Sequence, residues 1–349
     1  MRIGVLTFHA GPNHGAFLQA ASLLASIRQC GHQAEVIDYT HPRLRNSERF
    51  RPWIYRRPRR LLFDVVKRLA FREDRKLLAR SKRFHSSSSI PTQHYDAIVV
   101  GSDVVWNFQN ARLGSDPVYA GVFARSFTGK RIAYAPSIGS MRLDYKPTQN
   151  IINGIRHFDH LSVRDESSRD WLQNICAVDA VNVVDPTWLP TARGLGAPCR
   201  GIGPSDMLIY APIVEPSAAK AIAECAKKKG LRTVAVGYHQ PWCDMNRADI
   251  GPLAWPAACR QAACIVSATF HGTLFAIREN KPFVCLATED MLNKTSHWLK
   301  QLGLSNRFVA KASRLDVALD RKIDWVSANE LIGEHAERSL RWLTSALEK

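Results

Sequence analysis

Short apolar runs that alternate with helix-like segments dominate this chain and constrain its fold class. The runs are rich in β-branched residues, and most are nearly continuous rather than alternating with polar residues. Such runs are typical of parallel strands that are buried on both faces. Their alternation with helices predicts an α/β fold of βαβ units around doubly wound sheets. Strands are predicted at 3–8, 34–38, 97–101, 131–135, 161–164, 181–185, 207–211, 232–237, 264–268 and 282–287, with helices at 16–30, 167–174, 217–229, 272–279 and 328–347.

A loop-like stretch rich in proline and glycine, residues 190–204, divides the 349-residue chain near its middle. We therefore expect a Rossmann-like domain over 1–192 and a second over 205–325. A C-terminal helix over 326–349 could pack back on the first domain. Two such domains would form a cleft at the carboxyl ends of their strands, where ligands bind in open α/β sheets.

The composition excludes several other classes of protein. With 46% hydrophobic and 23% charged residues, the chain has the balance of a globular protein rather than a disordered one. No window of about 18 apolar residues predicts a membrane-spanning helix, and the segment after Met1 lacks the features of a secretory signal. The eight cysteines occur singly, and acidic residues do not cluster at metal-ligand spacing. We therefore expect no metal and a reducing, cytoplasmic compartment.

Most of the positive charge lies in one segment. The chain has 48 Lys and Arg against 31 Asp and Glu, a net charge of +17, and residues 43–83 alone contribute +12. Apolar residues at helical spacing in this segment predict a basic amphipathic helix. Three interpretations compete: a solvated surface helix, a contact with an anionic membrane, and nucleic-acid binding. Nucleic acid ranks last, because the segment has no nucleic-acid-binding motif and no evident platform for base stacking.

Two polar turns follow strands of the first predicted domain. The turn after the first strand contains Asn13 and Gly15 and leads into a helix, so its N–H groups could hold an anion, although a tight βα turn would have the same composition. The turn after the third strand contains Ser102, Asp103, Trp106 and Asn107. A Trp beside an Asn suits a sugar, because C–H groups stack on the ring and the amide bonds hydroxyls. The Ser or Asp could instead cap the next turn.

Arg164 ends another buried strand and therefore needs a partner for its charge. Asp165, Glu166 or Asp185 could be that partner inside the protein. Alternatively, the planar guanidinium could point into the cleft and bind a phosphate or carboxylate.

His271 opens a helix after the buried strand at 264–268. A histidine at this position, aimed at the cleft, is a candidate general acid or base. Gly272 beside it would let a ligand approach the backbone closely. A lone histidine is more often structural, and it is the placement of this one that favours a role in chemistry.

The order and spacing of these motifs resemble the polysaccharide pyruvyl transferase family, over residues 3 to about 310. The matching blocks lie at 3–9, 13–20, 36–39, 101–107, 132–139, 162–166, 184–187, 269–273 and 281–283. The resemblance implies two Rossmann-like domains in a GT-B-like arrangement with an interdomain cleft. It also implies transfer of a pyruvyl group from phosphoenolpyruvate, the donor substrate, onto two hydroxyls of one sugar, which leaves a cyclic ketal. No further cofactor is expected.

This chemistry gives the residues at the strand ends expected roles. The family's histidine maps to His271, the expected general acid, and Asp103 would accept a hydroxyl proton or position the acceptor. The donor and its phosphate are expected to contact Arg164, Asn13, Gly15, Thr269, Gly272 and Lys281. The acceptor is expected to contact Ser102, Trp106 and Asn107.

The sequence departs from the family pattern at three places. Some relatives carry a second arginine where this chain has Thr269, so Lys281, Arg278 or the first-turn backbone would have to bind the phosphate instead. Val104 replaces a common glutamine, and His14 replaces a common tyrosine. A GT-B-like glycosyltransferase that uses a nucleotide sugar, and a ligand-binding relative without turnover, therefore stay as alternatives.

The expected partners are phosphoenolpyruvate and a sugar or lipid-linked glycan in a polysaccharide or glycolipid precursor. Nucleic acid is not among them. In a cytoplasmic enzyme that modifies glycans, residues 43–83 would face either the inner face of the membrane or an anionic, lipid-linked acceptor.

Overall fold

A computed structural model describes residues 1–113, 115–124, 126–287, 289–310 and 314–348. Its strands form two parallel six-stranded sheets. The strands of the first sheet are β1 (Arg2–Leu6), β2 (Gln33–Val36), β3 (Ala97–Val100), β4 (Lys130–Ala133), β5 (His160–Val163) and β6 (Val181–Asn182). Those of the second are β7 (Asp206–Tyr210), β8 (Arg232–Val236), β9 (Met245–Arg247), β10 (Cys264–Ser267), β11 (Phe283–Leu286) and β12 (Phe308–Val309).

In each sheet, the direction in which successive strands are added reverses at one point. The orders are β2-β1-β3-β4-β5-β6 and β12-β11-β10-β7-β8-β9. The chain therefore winds away in opposite directions from the β1–β3 pair and from the β7–β10 pair. The crevice beyond the carboxyl ends of such a pair is where open α/β sheets bind ligands.

Helices cover both sheets and follow from local signals in the sequence. They are α1 (His14–Gln29), α2 (Pro42–Glu48), α3 (Pro58–Arg75), α4 (Gln149–Arg156), α5 (Glu166–Trp171), α6 (Pro216–Lys228), α7 (Trp255–Gln261), α8 (Phe270–Arg278), α9 (Glu289–Gln301), α10 (Leu315–Asp320) and α11 (Trp325–Glu348). Asn13 caps the start of α1, and Gly31, at φ +85°, follows its end. No helix within the described residues is both long and apolar enough to cross a bilayer.

The strand predictions identify the core of both sheets. All four residues of β3 are buried, as expected for a central parallel strand. The run predicted at 181–185 is a strand only at Val181–Asn182, because the chain then turns toward Asp185. β9 and β12 were not predicted, since β9 lacks an apolar run and β12 has two residues.

The C-terminal helix α11 lies against the first sheet, although the chain reaches it from the second. Ser339 Oγ accepts a hydrogen bond from the Val184 N–H at 2.9 Å. Trp342 packs against the ring of Tyr134, with ring centroids 6.1 Å apart. The helix therefore ties the end of the chain to the first domain.

The basic amphipathic helix predicted in the 43–83 segment is confirmed as α3, and it docks on the second domain. Phe63, Lys67 and Phe71 form its buried face. Lys67 Nζ donates a 2.6 Å hydrogen bond to the carbonyl of Gly237, beyond β8. Asp74 accepts one at 2.9 Å from the Leu253 N–H. The helix α3, which lies between β2 and β3 in the sequence, thus connects the first domain to the second.

The buried ammonium of Lys67 makes stability depend on pH. Burial lowers the pKa of Lys67 to about 8, whereas an unfolded lysine titrates near about 10.4. Between these values the unfolded chain binds more protons than the native one, so the free energy of unfolding rises with pH. Relative to Lys67→Met, the wild type should gain on the order of 3 kcal/mol across this window.

Chemical denaturation from pH 7 to 10.5 measures this difference. Lys76→Met, at an exposed position beyond the end of the same helix, serves as the matched control and should show no such window. A constant difference in stability between wild type and Lys67→Met over this range would contradict the prediction.

Candidate active site

Four titratable side chains from the two domains meet at the carboxyl ends of the sheets. Asp103 follows β3, Arg164 follows β5, Asp185 lies beyond β6, and His271 is the second residue of α8 after β10. Asp185 lies at their centre. Its Oδ2 is 2.7 Å from Arg164 Nη1 and 3.5 Å from His271 Nε2. Three of the predicted site residues, Asp103, Arg164 and His271, are therefore brought together.

Asp185 is fixed by more partners than Arg164 and His271. Its Oδ1 accepts hydrogen bonds from the backbone N–H of Thr187 at 3.0 Å and from the Thr187 hydroxyl at 2.7 Å. Ser102 Oγ donates to its other oxygen at 3.3 Å. Burial alone would raise the pKa of Asp185, but the adjacent charges of His271 and Arg164 outweigh it and hold this pKa well below its usual range. Asp185 is therefore an ionised counter-ion inside the protein.

The imidazole of His271 lies at the contact between the domains. A Cβ on Gly15, at the start of α1, would be 2.1 Å from His271 Nδ1, so residue 15 must be glycine for the ring to fit. Nε2 is buried and has no hydrogen-bond partner with good geometry among the described residues. About a tenth of the side chain is exposed. His271 is therefore positioned by the first domain while it stands on the second.

Arg164 has the internal partner that its burial requires. It is 2% exposed, and Asp185 is the partner among the three carboxylates considered from the sequence. A second carboxylate, Asp103, lies 3.5 Å from its Nη2, and the ring of Phe270 lies under the guanidinium at 4.5 Å. These contacts present a fixed cation beside His271, and its contact with a donor anion stays a prediction.

Asp103 borders a small cavity of the first domain. Its backbone has φ +75°, a strained value for a residue other than glycine and one that is often found at functional sites. It lines a cavity of about 130 Å³ together with His9, Asn13, Thr40 and Glu48. Asp103 therefore stands between this small cavity and Arg164.

The structure corrects the predicted acceptor contacts of Trp106 and Ser102. Trp106 is fully buried, and its indole N–H donates to the carbonyl of Tyr119 at 2.8 Å. A ring without an exposed face cannot stack on a sugar, so the prediction for Trp106 is wrong. Ser102 is also fully buried, and its hydroxyl donates a hydrogen bond to Asp185 instead of facing an acceptor. Asn107 is nearly buried and caps a turn by accepting from the Asn110 N–H.

At the two helix starts the structure corrects the reason given for the donor contacts, because side chains cap N–H groups there, and the contacts themselves stay a prediction. Asn13 accepts from the N–H groups of Gly15 and Ala16, and Thr269 accepts from that of Gly272, so caps occupy the N–H groups expected to hold phosphate. A Cβ at Gly272 would be 2.2 Å from Ser267 Oγ. Neighbouring protein atoms are therefore enough to require glycine at both positions.

Lys281 lies at the wrong edge of the second sheet for a donor contact. It directly precedes β11, so it sits at the amino end of the strands, opposite His271. The chain must return to that edge after α8, because β10 and β11 are parallel. Arg278 is committed as well, to Glu279 at 3.1 Å and to the carbonyl of Thr187 at 3.3 Å.

Two carboxylates were missed or undervalued by sequence reasoning. Asp185 was considered only as a partner for Arg164, although its position after an apolar run signalled a strand end. Glu48, in α2, was not predicted at all. Its carboxylate lies where a Cβ on Gly11 would be, and burial raises the pKa of Glu48 despite the nearby charge of Arg75. Nothing in the sequence of the basic segment distinguishes Glu48, because its burial against Gly11 arises only when α2 packs on the first domain.

Comparison with known families finds one that matches most of this chain. The family model described as polysaccharide pyruvyl transferase matches residues 13–290. No curated protein matches the sequence.

Solved structures similar to this chain share its two-domain architecture. UGT89C1 of Arabidopsis thaliana complexed with quercetin superposes with a TM-score of 0.54 at 12% identity, over 99% of this chain and 98% of that one. UDP-GlcNAc 2-epimerase of Methanocaldococcus jannaschii, in complex with UDP-GlcNAc and UDP, gives 0.53 at 11% identity, over 99% and 100%. The predicted fold class, two Rossmann-like domains in a GT-B-like arrangement with a cleft between them, is confirmed.

Proposed function

The chain belongs to the polysaccharide pyruvyl transferase family, and from this premise we propose that it moves a pyruvyl group from phosphoenolpyruvate onto two hydroxyls of one sugar. The acceptor is part of a polysaccharide or glycolipid precursor, and the product is a cyclic ketal. The observation that carries the proposal is the cluster of His271, Arg164 and Asp185 where the two sheets face each other. It joins a proton donor to a fixed cation, and the donor substrate requires both.

The reaction divides into steps that these residues can serve. The methylene carbon of phosphoenolpyruvate gains a proton while a sugar hydroxyl forms a bond to C2 and gives up its own proton. The C2–O bond to phosphate then breaks, and the second hydroxyl adds at C2 and loses its proton. We assign the first proton to His271 and propose Asp103, beside the small cavity, as acceptor of a hydroxyl proton. Holding both substrates in one cleft lowers the entropic part of the barrier.

The charge of the donor explains why Arg164 matters. Phosphoenolpyruvate carries a carboxylate and a phosphate, and a planar guanidinium binds either with paired hydrogen bonds. Asp185 holds Nη1 of Arg164 at 2.7 Å, whereas Asp103 lies farther away, 3.5 Å from Nη2, so we propose that the donor anion takes the place of Asp103 at Nη2. Because His271 is mostly enclosed, we propose that the donor enters when the two domains separate and is covered when they close.

Release of phosphate tests the proposal. Purified protein is incubated with phosphoenolpyruvate and a panel of free and lipid-linked glycans, and phosphate is followed over time. Release that depends on an acceptor supports pyruvyl transfer. Turnover of a UDP-sugar without phosphoenolpyruvate would favour the glycosyltransferase alternative, and tight binding without any release would favour a relative that only binds its ligand.

The outward face of α3 suggests where the protein works. Leu62 and Leu69, two helical turns apart on the side opposite the buried face, are 64% and 55% exposed. Exposed Trp53 and Leu77 flank the helix, which is surrounded by arginines. Apolar side chains among cations fit an anionic bilayer surface. We propose that this face rests on the inner leaflet and brings a lipid-linked acceptor to the cleft.

Vesicle flotation tests the membrane contact. At low salt, the wild type should float with vesicles that contain phosphatidylglycerol, and it should float less at high salt. With vesicles of pure phosphatidylcholine, it should not float. Leu62→Ser with Leu69→Ser should reduce flotation, whereas Leu143→Ser, an exposed leucine outside the segment, should not. Absence of flotation at low salt would contradict the membrane contact and favour the interpretation of α3 as a solvated surface helix.

A further inference from the structure

A second cavity in the first domain, of about 460 Å³, lies beside the small one near Asp103. It is enclosed by α2, by α3 and by the segments that follow β1 and β2. The charged side chains that line it are Asp38, Arg45, Glu48, Arg49, Arg75 and Arg83. Arginines therefore outnumber carboxylates by two to one on its walls.

One of these arginines, Arg75, has a buried nitrogen without a partner in the part of the chain that the structure describes. Arg75 Nε is buried and has no hydrogen-bond partner among the described residues. The charge of Glu48 acts on Arg75, but burial raises the pKa of Glu48 and so favours its neutral form. A buried guanidinium N–H that lacks a partner is costly, and an acceptor oxygen of a bound anion would remove that cost.

The other carboxylate of the cavity is already committed. Asp38 lies 3.1 Å from Arg80, 3.6 Å from Arg83 and 3.3 Å from His9. It cannot also neutralise Arg45, Arg49 and Arg75. The excess positive charge therefore faces the open space, where an anionic group would meet several guanidinium groups at once.

The two cavities are neighbours with a shared wall. Ala10, Thr40 and Glu48 line both of them, and the smaller one ends at Asp103. A molecule with a sugar in the smaller cavity would therefore direct an attached group into the larger one. The arginines that line the larger cavity suit a phosphate rather than a neutral sugar.

We propose that the larger cavity binds the phosphate or diphosphate group carried by the acceptor sugar. The identification of its occupant as part of the acceptor rests on the proposed function. Binding of the phosphate itself does not, since it follows from the arginines. A sugar 1-phosphate and a lipid-linked sugar diphosphate both present this group.

Calorimetric titration with inorganic pyrophosphate tests the site. The experiment uses the full chain with phosphoenolpyruvate in excess, so that the donor region is filled. Arg75→Gln and Arg49→Gln should each weaken pyrophosphate binding by about tenfold or more. Arg72→Gln, an exposed arginine on the same helix as Arg75 and outside the cavity, should bind like the wild type. Because Arg49 is exposed, its variant tests the site even if Arg75→Gln folds poorly.

Each result separates this inference from the proposed function. Loss of pyrophosphate binding in both variants supports the cavity, even if the wild type releases no phosphate from phosphoenolpyruvate. Equal affinity in wild type, Arg75→Gln and Arg49→Gln overturns it, even if pyruvyl transfer proceeds. Titration with a soluble sugar 1-phosphate and with a short polyprenyl-diphosphate sugar then identifies the source of the group, by which of the two loses affinity in Arg75→Gln.

Discussion

Replacing His271 with alanine is expected to lower the rate of pyruvyl transfer by about 10²- to 10⁴-fold, the usual contribution of a positioned general acid. The ring stands beside the ionised Asp185, 3.5 Å from it, and beside the fixed charge of Arg164. Removing it leaves phosphoenolpyruvate without a proton donor at the methylene carbon. The loss should fall on kcat more than on KM, because Arg164 still binds the donor. Phosphate release with saturating donor and acceptor measures it.

Two variants separate chemistry from folding. His271→Gln keeps a polar side chain of similar reach next to Asp185 but cannot act as an acid, so it should lose activity while its melting temperature stays near that of the wild type. His157→Ala, an exposed histidine at the end of α4, should retain full activity. Near-normal phosphate release in both His271 variants would exclude this residue as the acid.

Replacing Asp185 with asparagine is expected to lower the free energy of unfolding by about 3 kcal/mol, toward the lower end of what breaking a buried ion pair costs. Arg164 is 2% exposed and would lose its 2.7 Å partner. The loss is limited because Asp103 remains 3.5 Å from the guanidinium. Urea denaturation of wild type and variant at pH 7 measures the difference.

A double variant shows whether the loss arises from the pair. Arg164→Met removes the charge that Asp185 balances, so adding Asp185→Asn to Arg164→Met should cost much less than Asp185→Asn alone. Asp144→Asn, which breaks an exposed pair with Arg142, should leave stability unchanged. If Asp185→Asn costs as much with Arg164→Met as without it, the two charges are not coupled.

The pH dependence of this difference has a definite sign. The pKa of Asp185 is depressed in the folded protein by His271 and Arg164, against the effect of burial. Its stabilising contribution is therefore present above about pH 4, where an unfolded aspartate is already ionised, and declines as the pH falls below that value. The gap in stability between wild type and Asp185→Asn should narrow over the same range.

The fold could be predicted from the sequence to the extent that burial dictates residue type. A strand such as β3, covered by helices on both faces, must be apolar throughout, and its run is visible. β9, at the edge of the second sheet, consists of half-buried Met245, Asn246 and Arg247 and has no such signature. The docking of α3 on the second domain depends on contacts such as that of Lys67 with Gly237, far apart in sequence, and a single helical pattern cannot reveal it.

The sequence predicted those parts of the candidate site whose position depends only on the topology of the sheets. Residues directly after parallel strands share one edge, which brought Asp103, Arg164 and His271 together. The same rule argues against Lys281, since it precedes a strand. What a side chain faces after the strand ends depends on the path of the turn, so Trp106 could not be distinguished from an exposed ring. A glycine at position 15 indicates that another group lies close to the backbone there. Only the structure shows that this group is the ring of His271.

The fate of the pyruvyl carbon atoms tests the central claim most directly. The wild type is incubated with phosphoenolpyruvate labelled in its carboxyl carbon, together with the acceptor that gives the fastest phosphate release. Pyruvyl transfer predicts that the label moves to the glycan in equal amount to the phosphate released, and that mild acid frees it again as pyruvate, as a ketal requires. Phosphate release that leaves the glycan unlabelled, or glycan modification that needs only a nucleotide sugar, would contradict the proposed function.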